Sequence, residues 1–119
     1  MNAVLKTTEA WVDICAADDI VTNTGVCALV ADTPVAVFRV KTADAGEQFF
    51  AIDNIDPKNG ANVLSRGLVG NLGDRLVVAS PLYKHHLDLR TGECLESADW
   101  SVRAHPVRVD QGRVQVSLS

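Results

Sequence analysis

The sequence has no apolar run approaching the ~20 residues that a membrane-spanning helix requires. Nor is there any excess of basic residues: eleven Lys and Arg stand against fifteen Asp and Glu, a net charge of −4. Binding to nucleic acid or to an anionic membrane draws on clustered cations that release counterions, so this balance argues against both partners. The three cysteines, Cys15, Cys27 and Cys94, contain no C-x-x-C pair. An odd number so spaced is neither a disulfide framework nor a zinc site. In a reducing compartment they are expected to be small buried thiols. The segment from Met1 to Ala10 carries Lys6 and Glu9 and lacks the apolar stretch of a secretion signal, which points to the cytosol. No amphipathic run long enough for a helix of ten residues occurs. Cys15 to Ile20 offers a turn, with Asp18 and Asp19 near its start.

What remains is strand. The 119 residues are 47% hydrophobic and 22% charged, which suits one folded domain spanning residues 1–119. Thr33 to Val40 reads T-P-V-A-V-F-R-V, rich in β-branched and aromatic residues, with Pro34 tolerable at a strand start or an edge. Val26 to Val30 precedes it, and Ala31-Asp32-Thr33 supplies a hairpin turn. Gln48 to Ile52 and Arg75 to Ala79 are further strand-like runs. His86 to Leu89 alternates and stops at the Thr91-Gly92 turn. Val107 and Val109, the turn Asp110-Gln111-Gly112, and Val114 and Val116 form a hairpin with one apolar face. Short strands punctuated about every ten residues predict an all-β sandwich or barrel with little helix. The least regular stretches, Asp53 to Gly73 and Ser80 to His85, are the natural places for function.

The common catalytic patterns do not fit these stretches. Gly60, Gly67, Gly70 and Gly73 match no phosphate-loop spacing and lead into no helix, so they read as turn residues. Ser80, His85 and Asp88 supply the residue types of a hydrolytic triad without a nucleophile elbow. Adjacent His85 and His86 point to opposite faces of an extended chain and cannot readily share one metal ion. Charge is uneven: residues 1–60 hold nine acids and four bases, residues 61–119 six acids and seven bases. This is either surface scatter or two faces that meet different parts of a partner.

The order of segments carries more information. Ala51-Ile52-Asp53-Asn54, a short loop closing at Gly60-Ala61, and a second loop running into Leu87-Asp88-Leu89-Arg90-Thr91-Gly92-Glu93 resemble the Rieske iron–sulfur domain. That family carries C-x-H in its first loop and C-x-x-H in its second, two thiolates on one iron and two imidazoles on the other. On this frame the ligand positions fall on Asp56, Lys58, Ser80 and Tyr83, so the resemblance implies that all four ligands are missing. A carboxyl, an ammonium and two hydroxyls are poor donors for a cluster assembled on soft sulfur. Asp56 with Lys58, and Ser80 with Tyr83, are then expected to form a polar plug across the loops, or else to stand solvated.

From Trp11 to Val116 the chain is also similar to the small subunits of assimilatory NAD(P)H-dependent nitrite reductases. The matching stretches include Trp11 to Cys15, Thr24 to Leu29, Asn54 to Pro57, Val63 to Leu68, and Ala79 to Leu82 with Lys84. Tyr83 departs from the basic residue of that family, and His85-His86 lies on variable ground. This resemblance implies a cytosolic accessory subunit that is non-catalytic alone, holds no cofactor, and docks on a large subunit bearing FAD, a [4Fe–4S] cluster and sirohaem. That large subunit reduces nitrite to ammonium in nitrate assimilation. Lys58, Asn59, Lys84 and His85 at the loop tips are the implied docking residues. The rival expectations are an electron-transfer protein with altered metal ligands and a cluster-less adaptor unconnected with nitrite.

Overall fold

The structure, a computed structural model, describes residues 10–118. The reading of Met1 to Ala10 therefore lies almost wholly outside the described residues. Among the described residues, ten of twelve strands form three main antiparallel sheets. The first, ordered β1-β12-β11, joins β1 (Val12–Ala16) to the terminal hairpin β11 (Val107–Asp110) and β12 (Arg113–Val116). The central sheet, ordered β10-β4-β3-β2, comprises β10 (Ala104–His105), β4 (Gly46–Asp53), β3 (Thr33–Thr42) and β2 (Thr24–Val30). The third, ordered β7-β8-β9, comprises β7 (Leu68–Leu72), β8 (Arg75–Ala79) and β9 (His86–Asp88). A two-residue pair, β5 (Ile55–Asp56) with β6 (Ala61–Asn62), sits in the loop after β4. Among the described residues helix is confined to three 3₁₀ turns, at Ala17–Asp19, Leu64–Arg66 and Ala98–Trp100. The all-β expectation is met, and the turn read at Cys15 to Ile20 is the first of these.

The apolar run in β3 is continuous because the strand is buried on both sides. Ala36, Phe38 and Val40 face one core with Ile52, Leu64, Leu76, Val78, Leu87, Leu89 and Cys94. Val35 and Val37 face the other, with Ile20, Val30, Ala51, Val114 and Val116. The central sheet is thus sandwiched between its two neighbours. Each fully buried aliphatic or aromatic side chain contributes on the order of 2 kcal/mol of transfer free energy, and truncating Phe38 to Ala would remove about 3–5 kcal/mol.

Hairpin turns set the register. Val30 pairs with Thr33, so the first turn is only Ala31-Asp32, one residue tighter than the sequence suggests; both residues have positive φ, 47° and 68°. The terminal hairpin repeats this geometry at Gln111 (φ 51°) and Gly112 (φ 77°), with Asp110 already paired to Arg113. Positive φ at both central positions matches the right-handed twist of the flanking strands.

Three expectations need correction. Leu68–Leu72 is a strand paired with β8, not irregular chain; its Gly70 and Asn71 mask the strand signal because both residue types are poor β formers. Cys27 is exposed and Cys15 only half-buried, leaving Cys94 as the one thoroughly buried thiol. Val114 and Val116 are buried as expected, but Val109 is 44% exposed because β11 is the outer strand of its sheet.

Candidate functional site

The two loops follow β4 and β8 and meet at one end of the molecule. The first is anchored by Asn54, which is buried. Its backbone N–H donates to the Pro34 carbonyl, its Oδ1 accepts the Ser65 N–H at 2.7 Å, and its Nδ2 lies 3.2 Å from Cys27 Sγ. The chain then turns tightly, because the Asp56 carbonyl accepts the N–H groups of both Asn59 and Gly60, the latter at φ 80°. The second loop closes on itself: Ser80 N–H donates to the His85 carbonyl and Lys84 N–H to the Ser80 carbonyl. Lys84 is held at φ 62°, a left-handed conformation that favours glycine and stores roughly 1–2 kcal/mol in other residues.

Among the four residues on the cluster-ligand frame, the contacts of one side chain with another form between the loops rather than within them. Ser80 Oγ donates to Asp56 Oδ2 at 2.5 Å, with both residues buried. Lys58 N–H donates to Asp56 Oδ1 at 3.0 Å, but the Lys58 ammonium turns outward. It lies 4.4 Å from the Tyr83 ring centre and 4.5 Å from that of Trp100. A buried polar link, Asp56 with Ser80, therefore underlies an exposed cation–π clasp of Lys58 with Tyr83 and Trp100. The expected pairings are exchanged, and Trp100, from the 3₁₀ turn at Ala98–Trp100, is a member that the loop sequences gave no reason to include.

His85 is 4% exposed and packs its ring against Trp100, 5.2 Å between centres, and beneath Tyr83. It is too deep to touch a partner directly. Its Nε2 lies 3.3 Å from Asp56 Oδ1 without the alignment of a hydrogen bond, so both ring nitrogens are buried without a hydrogen-bond partner. His86 faces the other way and pairs through Nδ1 with Glu96 Oε2 at 2.7 Å. Burial pushes the Glu96 carboxyl up, but hydrogen bonds from the His86 backbone and ring outweigh it and hold that carboxyl below its ordinary range.

Ser80, His85 and Asp88 are not assembled as a triad. Ser80 Oγ serves Asp56, while the Asp88 carboxyl accepts Arg75 Nε at 2.6 Å and the N–H groups of Arg90 and Thr91. His105, silent in the sequence, is buried and places Nε2 2.8 Å from Asp53 Oδ1, which ties β10 to the end of β4.

These contacts decide the fit to an iron–sulfur cluster. The two loops offer a carboxyl already committed to Ser80 and Lys58, a hydroxyl committed to that carboxyl, and an ammonium held over two rings. No thiol belongs to either loop: Cys15 is in β1, Cys27 in β2, and Cys94 is bridged to Leu87 beyond β9. Among the described residues no group of three or more His, Cys, Asp or Glu side chains is arranged to hold a metal ion. The donor set does not fit a [2Fe–2S] centre, whose irons need thiolate and imidazole.

The three-sheet architecture with two loops meeting at one end is that of a Rieske domain, and a family model described as a Rieske-like [2Fe-2S] domain matches residues 10–117. Within that class the resemblance narrows. The chain is 48% identical over 106 residues to the nitrite reductase (NADH) small subunit of Escherichia coli K12, covering 89% of this chain and 95% of that one. The NMR structure of the E. coli protein NirD superposes with a TM-score of 0.80 at 48% identity, covering 90% and 94% of the two chains. A third relative is the nitrite reductase [NAD(P)H] large subunit of Klebsiella oxytoca. It is 42% identical over 106 residues, spanning 89% of this chain but only 11% of that protein. The chain belongs to the Rieske-like family of nitrite reductase small subunits.

Proposed function

We propose that this chain, working as one domain, is the accessory subunit of an NAD(P)H-dependent nitrite reductase and docks on its large subunit without carrying electrons. The observation that carries this reading is the K. oxytoca large subunit, in which a segment related to almost all of this chain is part of the large-subunit polypeptide itself. Covalent tethering keeps two units at high effective concentration. A separate chain that does the same work must supply that association through its surface. Nitrite reduction to ammonium with NAD(P)H then takes place on the large subunit, which supplies the flavin, [4Fe–4S] and sirohaem chemistry. The present chain contributes a rigid β platform. Its proposed place is the cytosol; no helix among the described residues is long and apolar enough to cross a membrane.

The committed polar link of Asp56 with Ser80 supports a non-redox role. The exposed loop tips, Lys58, Asn59 and Lys84, are the proposed docking residues, with His85 buried behind them as packing. Co-purification tests the reading: a tagged chain expressed in nitrate-grown cells retains a sirohaem flavoprotein, and recovery of the tagged chain alone contradicts it.

A further inference from the structure

The outer face of the third sheet carries a groove of about 490 Å³ beside the second loop. Strand register explains it. Leu68 pairs with Ala79 and Ala79 with His86, so these three side chains form a row on one face. The neighbouring positions Val69, Val78 and Leu87 turn to the core. Ala79 is the floor of the groove, Leu68 and His86 its sides, and Pro81 with the cations Arg66 and Lys84 its rim. The floor is shaped by Gly67, where a Cβ would stand 2.2 Å from the Ala79 carbonyl oxygen.

Three features of this groove are poorly explained by the folded chain alone. Leu68, which lines the groove, is 81% exposed. Strand β7 is the outer strand of its sheet and reads L-V-G-N-L, without the charge or proline that usually guards such an edge. Arg66 and Lys84 have no ion-pair partner among the described residues; Arg39, Arg75, Arg103 and Arg113 each meet a carboxylate, Lys58, Arg90 and Arg108 lie over aromatic rings, and Lys41 alone shares their lack of either. In a chain of net charge −4, a pair of unneutralised cations flanking an apolar slot calls for an acidic and apolar complement.

We propose that this groove seats a segment of the large subunit that places an Asp or Glu between Arg66 and Lys84 and an apolar side chain against Leu68 and Pro81. The inference rests on the large subunit being the partner and adds where and by what chemistry it is held. The groove is continuous with the loop tips through Lys84. Apolar burial supplies affinity and the cations supply register and encounter rate.

The test measures the affinity of the full chain for purified large subunit. Leu68→Asp and the double variant Arg66→Glu/Lys84→Glu should each weaken binding at least ~10-fold, while Val21→Asp, also highly exposed but away from the groove, leaves it unchanged. Wild-type affinity should fall as salt rises, and the double variant should lose that dependence. Thermal unfolding of each variant, run in parallel, separates loss of docking from loss of fold. Groove variants that are folded and bind as tightly as wild type overturn this inference and leave the subunit reading intact. A wild-type chain that does not bind the large subunit at all overturns both.

Discussion

Ser80 and Asp56, 24 residues apart in sequence, join the two loops through a single 2.5 Å hydrogen bond sealed from water. A buried acceptor without donors, or a donor without an acceptor, is more damaging than the net worth of the bond. Asp56→Ala strands both the Ser80 hydroxyl and the Lys58 N–H, and should destabilise the fold by about 2–3 kcal/mol; Ser80→Ala should remove about 1–2 kcal/mol. Urea unfolding of both variants and of the double variant checks this. Non-additive effects identify the link, and strictly additive ones argue against it.

The clasp of Lys58 over Tyr83 and Trp100 is exposed and correspondingly modest. Lys58→Met should lower stability by about 0.5–1 kcal/mol and change the fluorescence of Trp100, while Lys58→Arg keeps a cation over the rings and should preserve both.

Glycine positions separate close packing from turn geometry. At Gly67 backbone φ is ordinary, and the obstacle is the Ala79 carbonyl oxygen 2.2 Å from a new Cβ. Gly67→Ala should therefore cost about 1–3 kcal/mol. Gly70, only three residues on, has nothing within 4 Å of that position, so Gly70→Ala should be neutral or stabilising by up to about 1 kcal/mol. Thermal melts of the pair make the comparison.

Acid stability should track two carboxyls, Asp88, which is buried, and Asp53, which is half-buried. Burial pushes Asp88 up, but the Arg75 guanidinium and the N–H groups of Arg90 and Thr91 outweigh it and hold the carboxyl below its ordinary range. Burial likewise raises Asp53, and the contacts with His105 and Arg103 more than reverse it. A carboxyl lowered by folding contributes stability that is present above the unfolded aspartate value of about 4 and lost as pH falls through the lower folded value. Stability should thus fall on acidification below pH ~4. Asp88→Asn should be less stable than wild type at neutral pH and lose less on acidification, as read by urea midpoints across that range.

Thiol reactivity should rank by exposure. Cys27 should react first with an aromatic disulfide reagent in the native protein and Cys94 only on unfolding. Cys15 should be slow, because burial and the nearby Asp19 raise its thiol above the ordinary range.

Much of the fold was legible because its strands announce themselves by pattern. Thr33 to Val40 is apolar on both faces since β3 has a core on each side, and the valines of β12 alternate since only one face is covered. Strand β7 escaped notice because Leu68 and Leu72 face outward and Gly70 interrupts the pattern. The loop ligand frame pointed to Asp56, Lys58, Ser80 and Tyr83, but their partners depended on how two loops cross in space. Spacing along the chain says nothing of Trp100 reaching Lys58, or of His105 reaching Asp53 across 52 residues. An exposed Cys27 was equally hidden, because cysteine is usually buried and only its place on the outer strand β2 decides otherwise.

Iron analysis together with an electron-paramagnetic-resonance spectrum of the reduced chain, purified without oxygen, tests the cluster-less site most directly. A folded, colourless protein with no iron and no resonance is the predicted result. A stoichiometric diiron signal of Rieske type would show that these loops do hold a cluster, and would contradict the non-redox role.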